Sequence, residues 1–264
     1  TVYVDPHITT VATAAVPKLE VFIDKPTPPA PPLPGDAGAT VPAAQPASFR
    51  STGVADATGT AAASGQAQPI PRFGLNSAGS AKTETGYVFD NPTYNKKPLV
   101  LVVTAQDGDW IKVLLPARPN HTEGWVRASD VTLSEHNFHG TLDISDRHLV
   151  VYQGDQVIAD TAVVVGRDSS PTPLGSVYIN EVLTAAEAGV NPGGSYGPNL
   201  LPTNAYSETL DLFDGGLPVI AFHGTNQPDL LGTASSNGCV RMPNEVVTQL
   251  AAQIPPGTPI DIVE

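Results

Sequence analysis

Cysteine is nearly absent: the 264 residues hold one, Cys239. A lone thiol excludes an internal disulfide, so packing alone must hold the fold, and the thiol is either a small buried hydrophobe or a reagent. Positive charge is scarce too, with 13 Lys and Arg against 26 Asp and Glu and a net charge of −13. Nucleic acid and anionic membrane surfaces are held mainly through Lys and Arg, so this balance argues against both as partners. Long apolar runs are missing. The longest is "LVLVV" at 99–103, far short of the roughly 18–20 residues that span a bilayer. The six His residues show no metal-ligand spacing, so no metal is expected, and no other cofactor is either. The sequence opens "TVYVDPH" without an initiating Met, which is the expectation for a secreted or envelope chain whose leader has been removed.

Proline and glycine are abundant, at 27 and 24 residues, which predicts many turns and little helix. The length exceeds one ordinary core and predicts two, with unstructured material besides. Residues 26–82 are rich in Pro, Ala, Gly, Ser and Thr and cannot bury enough surface to offset their ordering entropy, so they read as a disordered insertion or linker. Ahead of them, in the segment 1–25, "PKLEVFID" at 17–24 alternates Leu19, Val21 and Ile23 on one side, the pattern of a strand. Residues 83–135 hold further strand-like runs separated by Asp-Gly and Pro turns, which predicts a small β-barrel of about five strands. Because closing a long loop costs only a logarithm of its length, the strand at 17–24 is expected to join that barrel, with the Pro-rich segment looping out between two barrel strands. Asp109-Trp110 and Gly124-Trp125-Val126 resemble the bacterial Src-homology-type barrel often attached to cell-wall enzymes. The bland alternative is that Trp110 and Trp125 are core aromatics.

Residues 136–264 read differently. Two consecutive hairpins turn at Ser145-Asp146-Arg147 and at Gln153-Gly154-Asp155-Gln156, followed by a Pro-rich loop and strand in "RDSSPTPLGSVYI". The stretch "AAEAGVNPGGSYGPNLLP" is too long for an ordinary turn and is expected to cover a site. "PNEVVTQLAAQIPPG" predicts the main helix, with Asn244 as N-cap and Val246, Val247, Leu250 and Ala251 as its apolar stripe. The class is mostly β.

Cys239 lies sixteen positions after His223, which ends the apolar run "LPVIAFHG". A thiol becomes a useful nucleophile once a base takes its proton, and the base needs a third group to hold its tautomer. His223 is the candidate base, and the small residues Ser236-Asn237-Gly238 offer backbone N–H groups that can converge on a developing oxyanion. Base rates alone favour a buried, inert cysteine. His139-Gly140-Thr141 repeats the His-Gly-Thr triplet with no cysteine at that spacing, and His139 reads as an exposed strand-entry residue. His7, His121, His136 and His148 read as solvated, and Asn120-His121-Thr122 as a chance glycosylation sequon.

"FHGTNQPDLLGTASSNGCVRMPN" resembles the signature of the L,D-transpeptidases, and "GRDSSPTPLGSVYI" resembles that family's Pro-Thr-Pro loop and strand. The resemblance covers about 137–264 and implies a β-sandwich catalytic domain at 136–264. It implies Cys239 as nucleophile, His223 as general base and the Gly224 carbonyl as the group that orients the imidazole. The amides of Ser236, Gly238 and Cys239 become oxyanion candidates, and Arg241, Tyr206 and Ser207 substrate contacts, with a structural ion pair as the other reading of Arg241. The family has His where this chain has Asn237, which can hydrogen-bond but carries no charge. The implied activity is peptidoglycan cross-linking between third residues of tetrapeptide stems through a thioester, with release of D-alanine. A role in cell shape, acylation by carbapenems and a monomeric state follow as expectations. Water as acceptor would make a carboxypeptidase, and a decayed site would leave a wall-binding protein.

Overall fold

The computed structural model describes residues 7–27, 81–214 and 216–264; the segment read as a disordered linker, 26–82, lies almost wholly outside them. An N-terminal sheet holds eight strands: β1 (Thr9–Ala14), β2 (Lys18–Phe22), β3 (Ala81–Lys82), β4 (Gly86–Asp90), β5 (Val100–Asp107), β6 (Trp110–Leu114), β7 (Glu123–Arg127) and β8 (Val131–His136). Their order is β3-β4-β2-β7-β6-β5-β1-β8. β2 pairs antiparallel with β4 and meets β7 at Phe22 and Trp125. β1, whose Thr and Ala residues give little apolar signal, lies between β5 and β8.

Strand alternation decides which side chains enter this core. In β2, Leu19 and Val21 are buried, whereas Ile23 falls just past the end of the strand and is exposed, so the expected third apolar position is not inside. In β6 and β7 the inward residues are Ile111, Val113, Gly124 and Val126. A Cβ on Gly124 would stand 2.5 Å from Val21 Cγ1, so no larger residue fits without a shift. Trp110 and Trp125 therefore occupy the opposite face and are half-buried rather than core aromatics. Trp110 meets Phe22 edge-on at 5.5 Å beneath the Arg127 guanidinium, and Lys25 lies over Trp125.

The rest of the described chain forms β9 (Phe138–Asp143), β10 (His148–Gln153), β11 (Gln156–Ala162), β12 (Val165–Gly166), β13 (Gly175–Tyr178), β14 (Leu183–Thr184), β15 (Asn199–Tyr206), β16 (Val219–His223), β17 (Ala234–Ser236), β18 (Val240–Arg241), α1 (Asn244–Gln253) and β19 (Pro259–Val263). One sheet runs β11-β10-β9-β19-β13, a second β14-β15-β16-β18, and β12 pairs with β17. The two sheets enclose one core, with Leu149 and Ile260 from the first, Leu201 and Phe222 from the second, and Val247 and Leu250 from α1. Val246 and Ala251 stand at its margin. The protein is mostly β with one α-helix among the described residues. Asn244, expected as N-cap, is the first helical residue; Pro243 occupies the cap, and the Asn244 side chain instead accepts a hydrogen bond from Thr225 N–H at 2.8 Å.

The two cores meet along residues 114–120. Tyr178 of β13 is buried in the N-terminal cluster and donates to Leu114 O at 3.1 Å, and Tyr206 of β15 donates to Pro116 O at 3.0 Å. Asn120 imitates a strand neighbour: its Nδ2 donates to Tyr206 O and its Oδ1 accepts from Tyr206 N–H, both at 2.9 Å. The Arg118 guanidinium donates to Ser207 O and Leu210 O. Asn120→Ala would leave both main-chain groups of the buried Tyr206 without those partners. The expected cost is about 1–3 kcal/mol of unfolding free energy, read as a lower denaturant midpoint, with thiol alkylation unchanged in the native protein; an unaltered midpoint would contradict this account of the joint.

Candidate active site

All five residues of β16 are buried, and the strand delivers His223 at its end with 3% of its surface exposed. β18 runs parallel to it, with Phe222 opposite Val240 and His223 opposite Arg241. Extending that register by one residue sets Cys239 beside Ala221. Side chains alternate along a strand, so Ala221 and His223 share a face, and their parallel neighbour Cys239 shares it with them. Thiol and imidazole line one cleft of about 130 Å³, together with Asn237 and Arg241. Cys239 Sγ also lies 3.7 Å from Val219 O.

His223 Nδ1 stands 2.6 Å from Gly224 O. A carbonyl can only accept, so Nδ1 carries the proton and Nε2 presents its lone pair. Gly224 is a glycine for want of room: a Cβ there would stand 2.2 Å from Asn244 Oδ1 and 3.0 Å from Pro198 Cδ. The same Asn244 oxygen takes the Thr225 N–H, so the helix start fixes the His-Gly-Thr corner. Burial pushes the His223 pKa down to about 4, with the nearby Arg241 charge adding to the shift and the Gly224 bond opposing it. Burial likewise pushes the Cys239 thiol up, against a backbone bond at Ala221 and the Arg241 charge. At neutral pH the site therefore rests as a neutral thiol beside a neutral imidazole.

The turn before Cys239 is held almost entirely by hydroxyls. Ser236, fully buried, donates to Cys239 O at 2.5 Å and accepts from Gly238 N–H at 3.1 Å. Ser170 donates to Asn237 O at 3.0 Å, and Thr172 donates to Gly238 O at 2.8 Å while accepting from Gly166 N–H. Arg167 Nη2 donates to Asn237 Oδ1. Gly238 adopts φ 113°, a conformation open to glycine.

Of the expected oxyanion amides, that of Gly238 is already bonded to Ser236, while the Cys239 N–H has no acceptor among the described residues. Tyr206 and Ser207, expected on substrate, do not reach the thiol cleft; they are buried at the joint and line a separate cavity of about 310 Å³ with Arg118 and Asn120. The physical reason is that the end of β15 is bonded to residues 116–120. Arg241 makes no ion pair among the described residues; its Nη1 reaches Gln227 Oε1 at 3.5 Å and its Nε is buried without an acceptor. Residues that the sequence argument did not single out complete the cleft. The Tyr196 ring lies 4.9 Å from that of His223, and Ser195, Phe213 and Asp214 line the remaining walls. Tyr196 is the one aromatic in the long small-residue loop, which was the available signal. His139, expected exposed, is half-buried in a stack between His7 at 4.3 Å and Tyr152 at 4.9 Å. Among the described residues no three His, Cys, Asp or Glu side chains converge as a metal would require.

Comparison with known proteins bears on residues 138–262, which match the family model described as the L,D-transpeptidase catalytic domain, YkuD. The protein of Bacillus licheniformis that bears the name L,D-transpeptidase YkuD is 32% identical over 121 residues, 46% of this chain and 62% of that one. Its namesake in Bacillus subtilis is 32% identical over 125 residues, 47% of this chain and 65% of that one. The chain thus spans less than two thirds of the length of either relative. Among solved structures, an L,D-transpeptidase from Mycobacterium smegmatis is 14% identical, with 62% of this chain and 90% of that one covered and a TM-score of 0.38. So loose a superposition adds nothing to the assignment. The N-terminal sheet lies outside the family match. The thiol cleft, with the strands and loops that build it, lies inside the residues that match.

Proposed function

We propose that the chain is a cysteine acyltransferase of the cell envelope that cross-links peptidoglycan stem peptides. The observation that carries this reading is the bond from His223 Nδ1 to Gly224 O, which leaves Nε2 free as a base on the face of β16 that Cys239 shares. In the first step His223 Nε2 takes the thiol proton as Sγ bonds to the carbonyl carbon of the third stem residue. The Cys239 N–H is the group placed to receive the oxyanion. As the tetrahedral intermediate collapses, the C–N bond breaks, and the imidazolium returns its proton to the departing amine of D-alanine. A thioester remains. An amine from a second stem then attacks the thioester, His223 again carries the proton, and the thiol is released as the cross-link forms. Residues 136–264 act as the catalytic unit in this reading, and the protein works as a monomer outside the cytoplasm.

A histidine held at about 4 stays unprotonated through the neutral range, so a proton on Nε2 during the reaction comes from the thiol itself, and the transfer is uphill until sulfur bonds to carbon. Arg241 opposes the burial of the thiol and favours the thiolate at the moment of attack. Asn237, tied to Arg167, braces the turn without carrying charge.

Two results should follow. His223→Ala should slow acylation by a carbapenem, read as adduct mass, by about 10²–10⁴-fold. Cys239→Ser should abolish adduct and D-alanine release together. D-alanine release that survives in the serine variant would sink the mechanism. Because the thiol is held above its ordinary range and His223 below its own, the rate of alkylation by iodoacetamide should climb with pH throughout the neutral region. A rate that is already level at mildly acidic pH would mean a resting thiolate–imidazolium pair instead.

A further inference from the structure

Two opposite charges line the thiol cleft without meeting. Arg241 comes from β18 and Asp214 from the loop between β15 and β16. Neither forms an ion pair among the described residues. Arg241 is under-satisfied, with one long contact to Gln227 and a buried Nε that has no acceptor. Asp214 is held at the tip of a closed turn: Phe213 and Gly216 exchange two backbone hydrogen bonds of 2.9 Å, and Asp214 takes φ 48°, a conformation that Asp tolerates better than most residues.

Asp214 and Cys239 also line a second, smaller compartment together with Tyr196, Phe213, Leu217, Val219 and Ala221. That compartment offers apolar surface and one carboxylate, whereas the Arg241 guanidinium lines only the larger cleft. The cleft therefore complements a molecule with an alkyl arm ending in an ammonium, a reactive carbonyl at the thiol and a carboxylate beyond it.

Resting on the acyltransferase reading above, we propose that Asp214 determines donor specificity by taking the ammonium at the end of the side chain of the residue whose carbonyl Cys239 attacks. The alkyl part of that side chain lies along Phe213, Leu217, Val219 and Ala221, and the carboxylate of the departing residue faces Arg241. A donor whose side-chain amine is acylated loses the charge and most of this recognition. Asp214 holds no reacting atom, so its contribution lies in binding rather than in the chemical step.

The experiment uses the whole chain and two tetrapeptides that differ only in whether the third residue's side-chain amine is free or N-acetylated. D-alanine release is followed for the wild type, Asp214→Asn and Asp214→Glu, and acylation by a carbapenem without a cationic group is measured alongside. The wild type should favour the free amine about tenfold or more in kcat/KM. Asp214→Asn should remove that preference through KM, with kcat and carbapenem acylation within about twofold of wild type, and Asp214→Glu should restore part of it. A preference that persists in Asp214→Asn, or a wild type with none, would overturn the assignment. So would loss of carbapenem acylation in Asp214→Asn, which would mark the residue as structural. Failure of the wild type to be acylated at all would instead overturn the reading of Cys239, and this inference with it.

Discussion

The parallel pairing of β16 with β18 is the constraint on which the site depends. Parallel neighbours cannot be joined by a tight turn; they need a crossover of a dozen or more residues. The fifteen residues between His223 and Cys239, 224–238, are that crossover, pinned partway by the pairing of β17 with β12. A slip of one residue in the register would turn the thiol to the other face of the sheet, away from the imidazole. The spacing of His223 and Cys239 is thus a consequence of sheet geometry, with His223 at the end of a buried strand.

Around that pairing, hydroxyl groups and glycines do the positioning. Ser170, Thr172 and Ser236 satisfy the carbonyls of the turn before Cys239, so a buried, sharply bent segment carries few unmet polar groups. The Pro-Thr-Pro loop and the serine before it therefore support the thiol turn. Gly224 and Gly197 let the backbone after His223 approach Asn244 so closely that a Cβ on either would stand within 2.5 Å of its side-chain oxygen. The third member of the site is consequently a main-chain carbonyl, which fixes the imidazole tautomer without adding a charge. Burial keeps both partners neutral at rest, against the Gly224 bond, and a carboxylate in place of that carbonyl would favour the imidazolium further.

The meeting of His223 and Cys239 in one cleft was legible in the sequence because the candidate site concentrates in short segments: a single cysteine, a histidine at the end of an apolar run and small residues before the thiol. The mostly β class followed from alternation and turn residues for the same reason. What was not legible arises from contacts between distant segments. Arg167 and Tyr196 reach the site from loops whose closure depends on the whole sheet, and nothing local to "NPGGSYGPN" says that its tyrosine covers His223. Tyr206 ends β15, the strand next to β16, and Ser207 follows it, but their bonds go to residues 116–120, so proximity to the strand that carries His223 misleads. Asn244 looked like a cap because capping is the common use of that residue, while here a competing donor, Thr225 N–H, claims its oxygen. β1 escaped because Thr and Ala produce only weak alternation.

The claim that everything else rests on is the state of one ring: a neutral His223 with its proton on Nδ1, bonded to the Gly224 carbonyl, and Nε2 left unprotonated in the cleft it shares with the thiol. Nitrogen-15 NMR of the histidine side chains in the whole protein at neutral pH, assigned by comparison with His223→Gln, reads this directly. The structure requires a protonated Nδ1 and an unprotonated Nε2 at His223. Two protonated ring nitrogens, or the proton on Nε2, would contradict the account.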